Sequence, residues 1–193
     1  MTLRLPLLPH PDTPCAAVRT IEVELTQLGA RRFALRYVVS GNIEAIEMPR
    51  HTAGASRADE LWRHTCFEAF LRVGERRSYH EFNFAPSGEW NAYRLADYRQ
   101  GMVREPCAEA PDITTISGGA VRPEEPPLLV LTATIDLERT LLPTDSPWHI
   151  GLSAIIEERN GTRSYWALKH PPGEPDFHHP DCFHLELPAA RPV

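Results

Sequence analysis

Residues 66–84, CFEAFLRVGERRSYHEFNF, carry the pattern that decides the fold class. Apolar side chains recur at every second position from Phe67 to Val73, and a charged turn at residues 74–77 separates them from a second alternating run. A period of two is typical of a β-strand with one buried face. The stretch therefore predicts two strands that pair as an antiparallel hairpin.

Pairing of the two runs would divide their side chains between two faces, because successive residues of a strand point in opposite directions. One face would be mainly apolar and would point to the core. The other face would carry Glu68, Phe70, Tyr79, Glu81 and Asn83. We interpret this polar and aromatic surface as the favoured ligand face.

The same alternation extends over most of the chain in short runs that are divided by Gly, Pro and Asn. Residues 19–25 and 33–39 predict an opening hairpin with a turn at Gly29. Asn160-Gly161 suits positive φ angles and predicts a two-residue type I′ turn between strands at 148–157 and 163–168. Further strands are predicted at residues 43–48, 89–96, 112–116, 128–137 and 182–187.

Helical periodicity is almost absent, so the chain is predicted to be all-β. Its 193 residues fit one antiparallel β-sandwich, since such domains reach ~200–250 residues. We expect a single domain over residues 1–193. Residues 1–15 are expected to be an irregular N-terminal segment, because four prolines interrupt them.

Charge and cysteine content exclude several partner classes. The net charge of −6 is spread along the chain and no run of Lys or Arg occurs, so no nucleic-acid partner is expected. The absence of a long apolar run argues against a membrane partner, and the proline-broken N-terminus lacks the apolar core of a signal peptide. We therefore expect a cytoplasmic protein.

None of the four cysteines forms a CxxC pair, which disfavours a zinc knuckle or a redox motif.

Two stretches of the chain resemble a known family. They are residues 61–102, LWRHTCFEAFLRVGERRSYHEFNFAPSGEWNAYRLADYRQGM, and residues 164–183, SYWALKHPPGEPDFHHPDCF, together about a third of the chain. The motifs Trp-x-x-Thr-Cys-Phe-Glu, Glu-Phe-Asn-Phe and Pro-Ser-Gly-x-Trp resemble those of bacterial DOMON-like proteins. The resemblance implies a β-sandwich related to DOMON domains and to carbohydrate-binding module family nine. Characterised members of those groups bind haem or sugars without catalysis.

A sugar site needs an aromatic face for the C–H groups and planar polar side chains for the hydroxyls. Tyr93 and Tyr165 add to the aromatic candidates, while the carboxylates could instead form a structural network with arginines. The expected function is a non-catalytic module that binds a saccharide-like small polar molecule. The predicted ligand-binding residues are Trp62, Glu68, Tyr79, Glu81, Asn83, Trp90, Arg94, Trp166, His170 and His178.

Other functions stay open. Haem is the candidate cofactor, with His64, His170, His178 or His179 as axial ligand. A metal at His178, His179 and Asp181 is disfavoured, because neighbouring residues of an extended segment point apart. A protein partner could dock on a sheet edge or a proline-rich loop. Catalysis could use Glu68 and Glu81 as paired carboxylates, although none of the common nucleophile, P-loop or dinucleotide motifs occurs.

Overall fold

The computed structural model of the chain describes residues 1–49, 56–106, 108–118, 128–140 and 142–189. These residues form twelve β-strands and four short 3-10 helices. None of these helices is long and apolar enough to cross a membrane. The strands are β1 (Thr2–Pro9), β2 (Val18–Gln27), β3 (Arg32–Gly41), β4 (Cys66–Val73), β5 (Tyr79–Phe84), β6 (Trp90–Leu95), β7 (Val103–Arg104), β8 (Asp112–Gly118), β9 (Leu128–Asp136), β10 (Trp148–Glu157), β11 (Arg163–Ala167) and β12 (Leu185–Leu187).

The strands form two antiparallel sheets joined through β1. Sheet 1 has the order β1-β2-β3-β9-β8, and sheet 2 has the order β7-β6-β5-β4-β10-β11. Residues 2–7 of β1 pair with β2, whereas Leu8 and Pro9 pair with β11. β12 extends sheet 2 by pairing with the first residues of β10. The predicted all-β sandwich is confirmed.

The main core lies between the inner faces of the two sheets. Tyr37 from sheet 1 and Phe67 from sheet 2 meet there, with ring centroids 5.0 Å apart. The phenol of Tyr37 donates a 2.7 Å hydrogen bond to the carbonyl oxygen of Glu68. This bond satisfies the polar atom of a completely buried side chain. The sheets are therefore held together by apolar burial and by a bond to the strand that carries Glu68.

The predicted hairpin of residues 66–84 is confirmed. β4 and β5 pair antiparallel with Glu68 opposite Asn83 and Phe70 opposite Glu81. The turn between them contains Gly74 at φ 53°, which a glycine adopts without strain. The inner face of the hairpin joins the main core through residues such as Phe82. The outer face carries the five side chains that alternation assigns to it.

The N-terminal segment differs from the expectation. Residues 1–15 were expected to be irregular, but Thr2–Pro9 forms β1. Leu3, Leu5 and Leu7 point toward the core in the alternating pattern of a strand. Residues 2–7 pair only with β2, and proline is tolerated in a strand that is paired on one side.

Three local predictions are also wrong in detail. Residues 43–48 contain a 3-10 helix at Ile43–Ala45 and one bridge at Ile46 rather than a strand. The hairpin around Asn160-Gly161 is present, but only Gly161 has a positive φ. The Glu158 N–H bonds the Thr162 carbonyl, so its loop has three residues rather than two. The last strand is shorter than residues 182–187, because Pro180–Cys182 forms a 3-10 turn.

Candidate functional site

A cavity of about 330 Å³ lies on the outer face of sheet 2. The floor is formed by strands β4, β5, β6, β10 and β11. A short helix at Leu61–Arg63, the turn after β6 and the loop after β11 cover it. Its lining residues are Trp62, Glu68, Glu81, Leu95, Arg99, Met102, Ile155, Tyr165, Pro175, Phe177 and His178.

Two buried carboxyl groups, those of Glu68 and Glu81, form the polar part of the floor. Their side chains come from neighbouring strands, and the residues are only 2% and 4% exposed. Each is diagonal to the other across the β4–β5 ladder, which places their Cα atoms ~7–8 Å apart. Ser153 donates to Glu68 at 3.2 Å, and the side-chain amide of Asn83 donates to Glu81 at 2.8 Å.

Burial raises the pKa of both carboxyl groups above the ordinary glutamate value, because it disfavours the ionised form. The negative charge of Glu81 raises the pKa of Glu68 further, while the Ser153 hydrogen bond opposes the shift. The Asn83 hydrogen bond and the charge of Arg99 oppose the shift at Glu81. The pair therefore keeps a proton at higher pH than exposed glutamates do.

One oxygen of Glu81 has no hydrogen-bond donor in the part of the chain that the structure describes. This atom, Oε2, is buried, and it lies 3.9 Å from the ring nitrogen Nε2 of His178. That separation is too long for a hydrogen bond. A buried carboxylate oxygen without a donor is costly, so it marks a position where a ligand donor would be favourable.

His178 presents a defined ring nitrogen to the cavity. The phenol oxygen of Tyr79 accepts from the Arg99 backbone N–H at 3.2 Å and lies 2.8 Å from His178 Nδ1. We assign the phenol hydrogen to Nδ1, which leaves Nε2 as the N–H donor. Burial, then the charge of Arg99, lowers the pKa of His178 to about 4, although Asp176 opposes the shift. The imidazole is therefore a neutral donor near pH 7.

The carboxylate of Asp176 connects two of the segments that cover the cavity. It accepts from Arg99 Nη2 at 2.9 Å, from the His178 backbone N–H at 3.0 Å and from the Tyr98 hydroxyl. Arg99 has φ 52°, an uncommon value for a residue with a Cβ atom. These bonds connect the turn after β6 to the loop after β11 and hold Arg99 at the cavity mouth.

Aromatic side chains form the walls on both sides of the carboxyl pair. Trp62 packs edge-to-face on Tyr93, with centroids 6.0 Å apart. Tyr165 and Phe177 pack against each other on the other wall, also at 6.0 Å. The arrangement combines apolar ring surface with a polar floor, which is how small polar ligands are commonly bound.

Six of the ten predicted site residues meet at this cavity. Trp62, Glu68, Glu81 and His178 line it directly. Tyr79 and Asn83 lie behind them and fix His178 and Glu81 through hydrogen bonds. The structure thus brings together the outer face of the hairpin, the Trp62 helix and the loop that carries His178.

The other four residues lie elsewhere. Trp90 and Trp166 point into the main core, since they pair with inner-face residues Phe84 and Ala154. Arg94 is exposed at the far edge of sheet 2, with its Nε 3.9 Å from Glu105. His170 donates from Nε2 to the Leu8 carbonyl at 2.8 Å, and its ring packs on Phe177 outside the cavity lining.

The alternation of residues does not predict which loop residues cover the cavity. Arg99, Asp176 and Phe177 lie in turns and loops, where no period assigns a direction to a side chain. The signal that could have drawn attention to them is the density of Asp, Phe and His in residues 175–179. Loops carried by a rigid sheet commonly hold binding residues.

The histidines proposed as haem or metal ligands have separate partners. His178 bonds Tyr79, whereas the adjacent His179 accepts from the Asp181 backbone N–H at 3.2 Å. Within the described ranges, no three His, Cys, Asp or Glu side chains form a metal-like cluster. His64 lies outside the lining and contacts Glu157 at 2.7 Å.

Comparisons with known proteins place the fold. No protein-family model and no curated protein matches the chain. A crystal structure of a candidate carbohydrate-binding protein from Bacteroides uniformis aligns with a TM-score of 0.63 and 16% identity, over 93% of this chain and 83% of the other. At that identity the likeness shows a shared fold.

Two weaker alignments involve a family nine carbohydrate-binding module from Caldicellulosiruptor kristjanssonii. Its glucose complex aligns with a TM-score of 0.39 and 12% identity, over 80% of this chain and 69% of the module. Its cellotriose complex gives 0.38 and 11%, over 84% and 75%. TM-scores below 0.5 do not establish a shared fold.

Proposed function

We propose that the chain is a non-catalytic module that binds a saccharide-like small molecule in the cavity on the outer face of sheet 2. The observation that carries the proposal is the buried Oε2 atom of Glu81, which has no donor within the described ranges, in a residue that lines a cavity with aromatic walls. A sugar hydroxyl is a donor that would satisfy this atom.

The chemistry of the cavity suits a sugar ring. The rings of Trp62 and Tyr165 offer apolar surface to C–H groups, and Glu68 and Glu81 offer acceptors to hydroxyls. His178 Nε2 supplies a neutral donor to a ring or hydroxyl oxygen. The volume of about 330 Å³ is near the lower end of the range for small-molecule sites, which favours one ring over a long chain.

Similarity to known proteins supports the same proposal. One solved structure with this fold, from Bacteroides uniformis, is that of a candidate carbohydrate-binding protein. The motifs in residues 61–102 also resemble DOMON-like proteins, whose relatives bind sugars or haem. Because one fold hosts many functions, the proposal rests mainly on the chemistry of the cavity.

A binding panel tests the proposal. Wild-type protein is mixed with monosaccharides and short oligosaccharides, and thermal stabilisation and calorimetry report binding. We expect one or more sugars to raise the melting temperature, and Trp62→Ala to abolish the effect. Glu22→Gln, at an exposed position on sheet 1, serves as the control and should bind as wild type does. Absence of stabilisation by any sugar, at concentrations that saturate weak sites, would overturn the proposal.

A hydrolase is the second candidate, because Glu68 and Glu81 line one cavity and burial raises both pKa values. Glycosidases use two carboxyl groups in that setting, one of them protonated. Nitrophenyl glycosides test this function directly. Turnover that disappears in both Glu68→Gln and Glu81→Gln would replace the binding proposal with an enzymatic one.

A further inference from the structure

In the described part of the chain, the carboxyl pair of the cavity is not directly bonded to a lysine or arginine side chain. Among the described residues, neither Glu68 nor Glu81 has a Lys or Arg nitrogen within 4.0 Å. Arg99 is among the residues that line the cavity, but its guanidinium is bound to Asp176 at 2.9 Å. The floor of the cavity therefore holds two acidic groups without a directly bonded cation, and the charge of Arg99 acts on Glu81 only through space.

Glu158 is a buried carboxylate that receives its donors from the chain itself. Its Oε1 atom accepts from the backbone N–H groups of Ala16 and Ala17 at 3.0 and 3.2 Å, and from the Cys15 thiol at 3.3 Å. Those bonds lower the pKa of Glu158 although burial opposes them. Glu81 has the opposite environment, because one of its oxygens has no donor among the residues that the structure describes. The contrast makes Oε2 of Glu81 the position in the cavity where a ligand donor would be most favourable.

The walls of the cavity favour the same kind of group. Trp62, Tyr165 and Phe177 border the carboxyl pair, and the faces of aromatic rings attract cations. A primary ammonium carries three N–H donors and one positive charge. It could bond both carboxylates at once, whereas a sugar hydroxyl brings one donor and no charge.

We propose that the ligand of this cavity carries a protonated amine, as an amino sugar does, and that its ammonium binds between the carboxylates of Glu68 and Glu81. The inference rests on the proposed sugar-binding function and narrows the ligand class. The ring would lie against Trp62 or Tyr165, and His178 Nε2 would donate to an oxygen of the ligand.

The proposal predicts that binding of the ligand releases a proton. The titratable and charged groups near the pair are Arg99 and His178 from the covering loops and Cys66, Tyr79 and Tyr93 from the strands. Burial of the free pair favours retention of a proton on one carboxyl group. An ammonium favours the doubly ionised pair, so its binding releases that proton to solvent. A neutral sugar leaves the proton where it is.

Calorimetry with glucose, glucosamine and N-acetylglucosamine tests the proposal on the whole chain. At a pH near 6 the glucosamine amine is protonated, since amines of this kind have pKa values of about 8. We expect glucosamine to bind about tenfold more tightly than the other two sugars. Titration in buffers of different ionisation enthalpy should show proton release with glucosamine alone. Both differences should disappear in Glu81→Gln and persist in the control Glu22→Gln.

The outcomes separate the amine from the sugar. Equal binding of glucose and glucosamine, without proton release, overturns the amine proposal and upholds sugar binding. No binding of any of the three sugars overturns both. A preference for glucosamine that survives in Glu81→Gln reflects the overall negative charge of the chain, and it too overturns the assignment. The comparison of sugars on wild-type protein decides the matter even if the variant fails to fold.

Discussion

The outer faces of the two sheets carry similar residues in different surroundings. On sheet 1, Glu24 is partly exposed and bonds Arg4 at 3.0 Å and Arg36 at 3.2 Å. On sheet 2, Glu68 is buried and has Ser153 as its side-chain donor. Glutamate in an alternating strand is thus a solvated surface group in one sheet and part of a cavity floor in the other.

The difference arises from the loops, not from the strands. β3 alternates between buried and partly exposed residues, whereas nearly every residue of β4 is buried. The loop after β11 and the turn after β6 cover sheet 2, and a second apolar cluster forms beneath them around Phe70, Tyr79 and Phe183. The outer face of sheet 2 is therefore a second core with a polar cavity in it.

The largest loss of stability should come from removing an aromatic ring of this second core. Phe70 contacts His178 and Phe183, with centroids 5.2 and 6.1 Å away. We expect Phe70→Ala to lower the free energy of unfolding by ~3–5 kcal/mol, about as much as Phe67→Ala in the main core. Val38→Ala, on the outer face of sheet 1, should cost less than ~1 kcal/mol. Urea denaturation measures all three, and equal costs for Phe70→Ala and Val38→Ala would refute a second core.

A smaller change in the free energy of unfolding is expected from the titration of His178. Its pKa is lowered from 6.5 to about 4 in the folded chain, so the unfolded chain binds more protons between those values. The stabilisation is complete above pH 6.5 and is lost as pH falls through about 4, a change of up to ~3 kcal/mol. Unfolding curves of wild type and His178→Gln should converge as pH falls. Parallel curves would place His178 in a solvated site.

The smallest change in stability should distinguish Glu68 on sheet 2 from Glu24 on sheet 1. Glu68→Gln removes a buried group that resists ionisation, and we expect it to stabilise the chain by ~1–2 kcal/mol near pH 7. Because the pKa of Glu68 is raised in the folded chain, its contribution is complete below the ordinary value of 4.5 and is lost as pH rises through the folded value. The gain from Glu68→Gln should therefore vanish at low pH.

Glu24→Gln is the matched control for this comparison. It weakens an exposed ion pair and should lower stability by ~0.5 kcal/mol or less at neutral pH. A stabilisation of equal size in both variants would contradict the difference between the two faces.

The hairpin and its two faces could be predicted from the sequence because alternation is a local property of residues 66–84. It assigned Glu68, Tyr79, Glu81 and Asn83 to one face, and the structure places all four at or behind the cavity. The period determines which way each side chain points, although it does not reveal what covers the face.

The errors have two physical causes. The sequence predicts Trp90 and Trp166 as ligand-binding aromatic residues, but their strand register places both rings in the core. Register follows from strand pairing, which no local pattern specifies. β1 was missed because prolines hide its alternation. Arg99, Asp176 and Phe177 were missed because loop direction depends on contacts such as those of Asp176, which join segments far apart in sequence.

A chemical-shift titration can show which of the two sheets binds the sugar. Isotope-labelled chain is titrated with glucosamine and with glucose, and backbone amide shifts are mapped onto both sheets. We expect saturable shifts in β4, β5 and residues 96–101 and 175–178, and unchanged amides in β2 and β3. Shifts that centre on sheet 1, or no saturable shift with either sugar, would contradict the claim that the covered face of sheet 2 is the binding site.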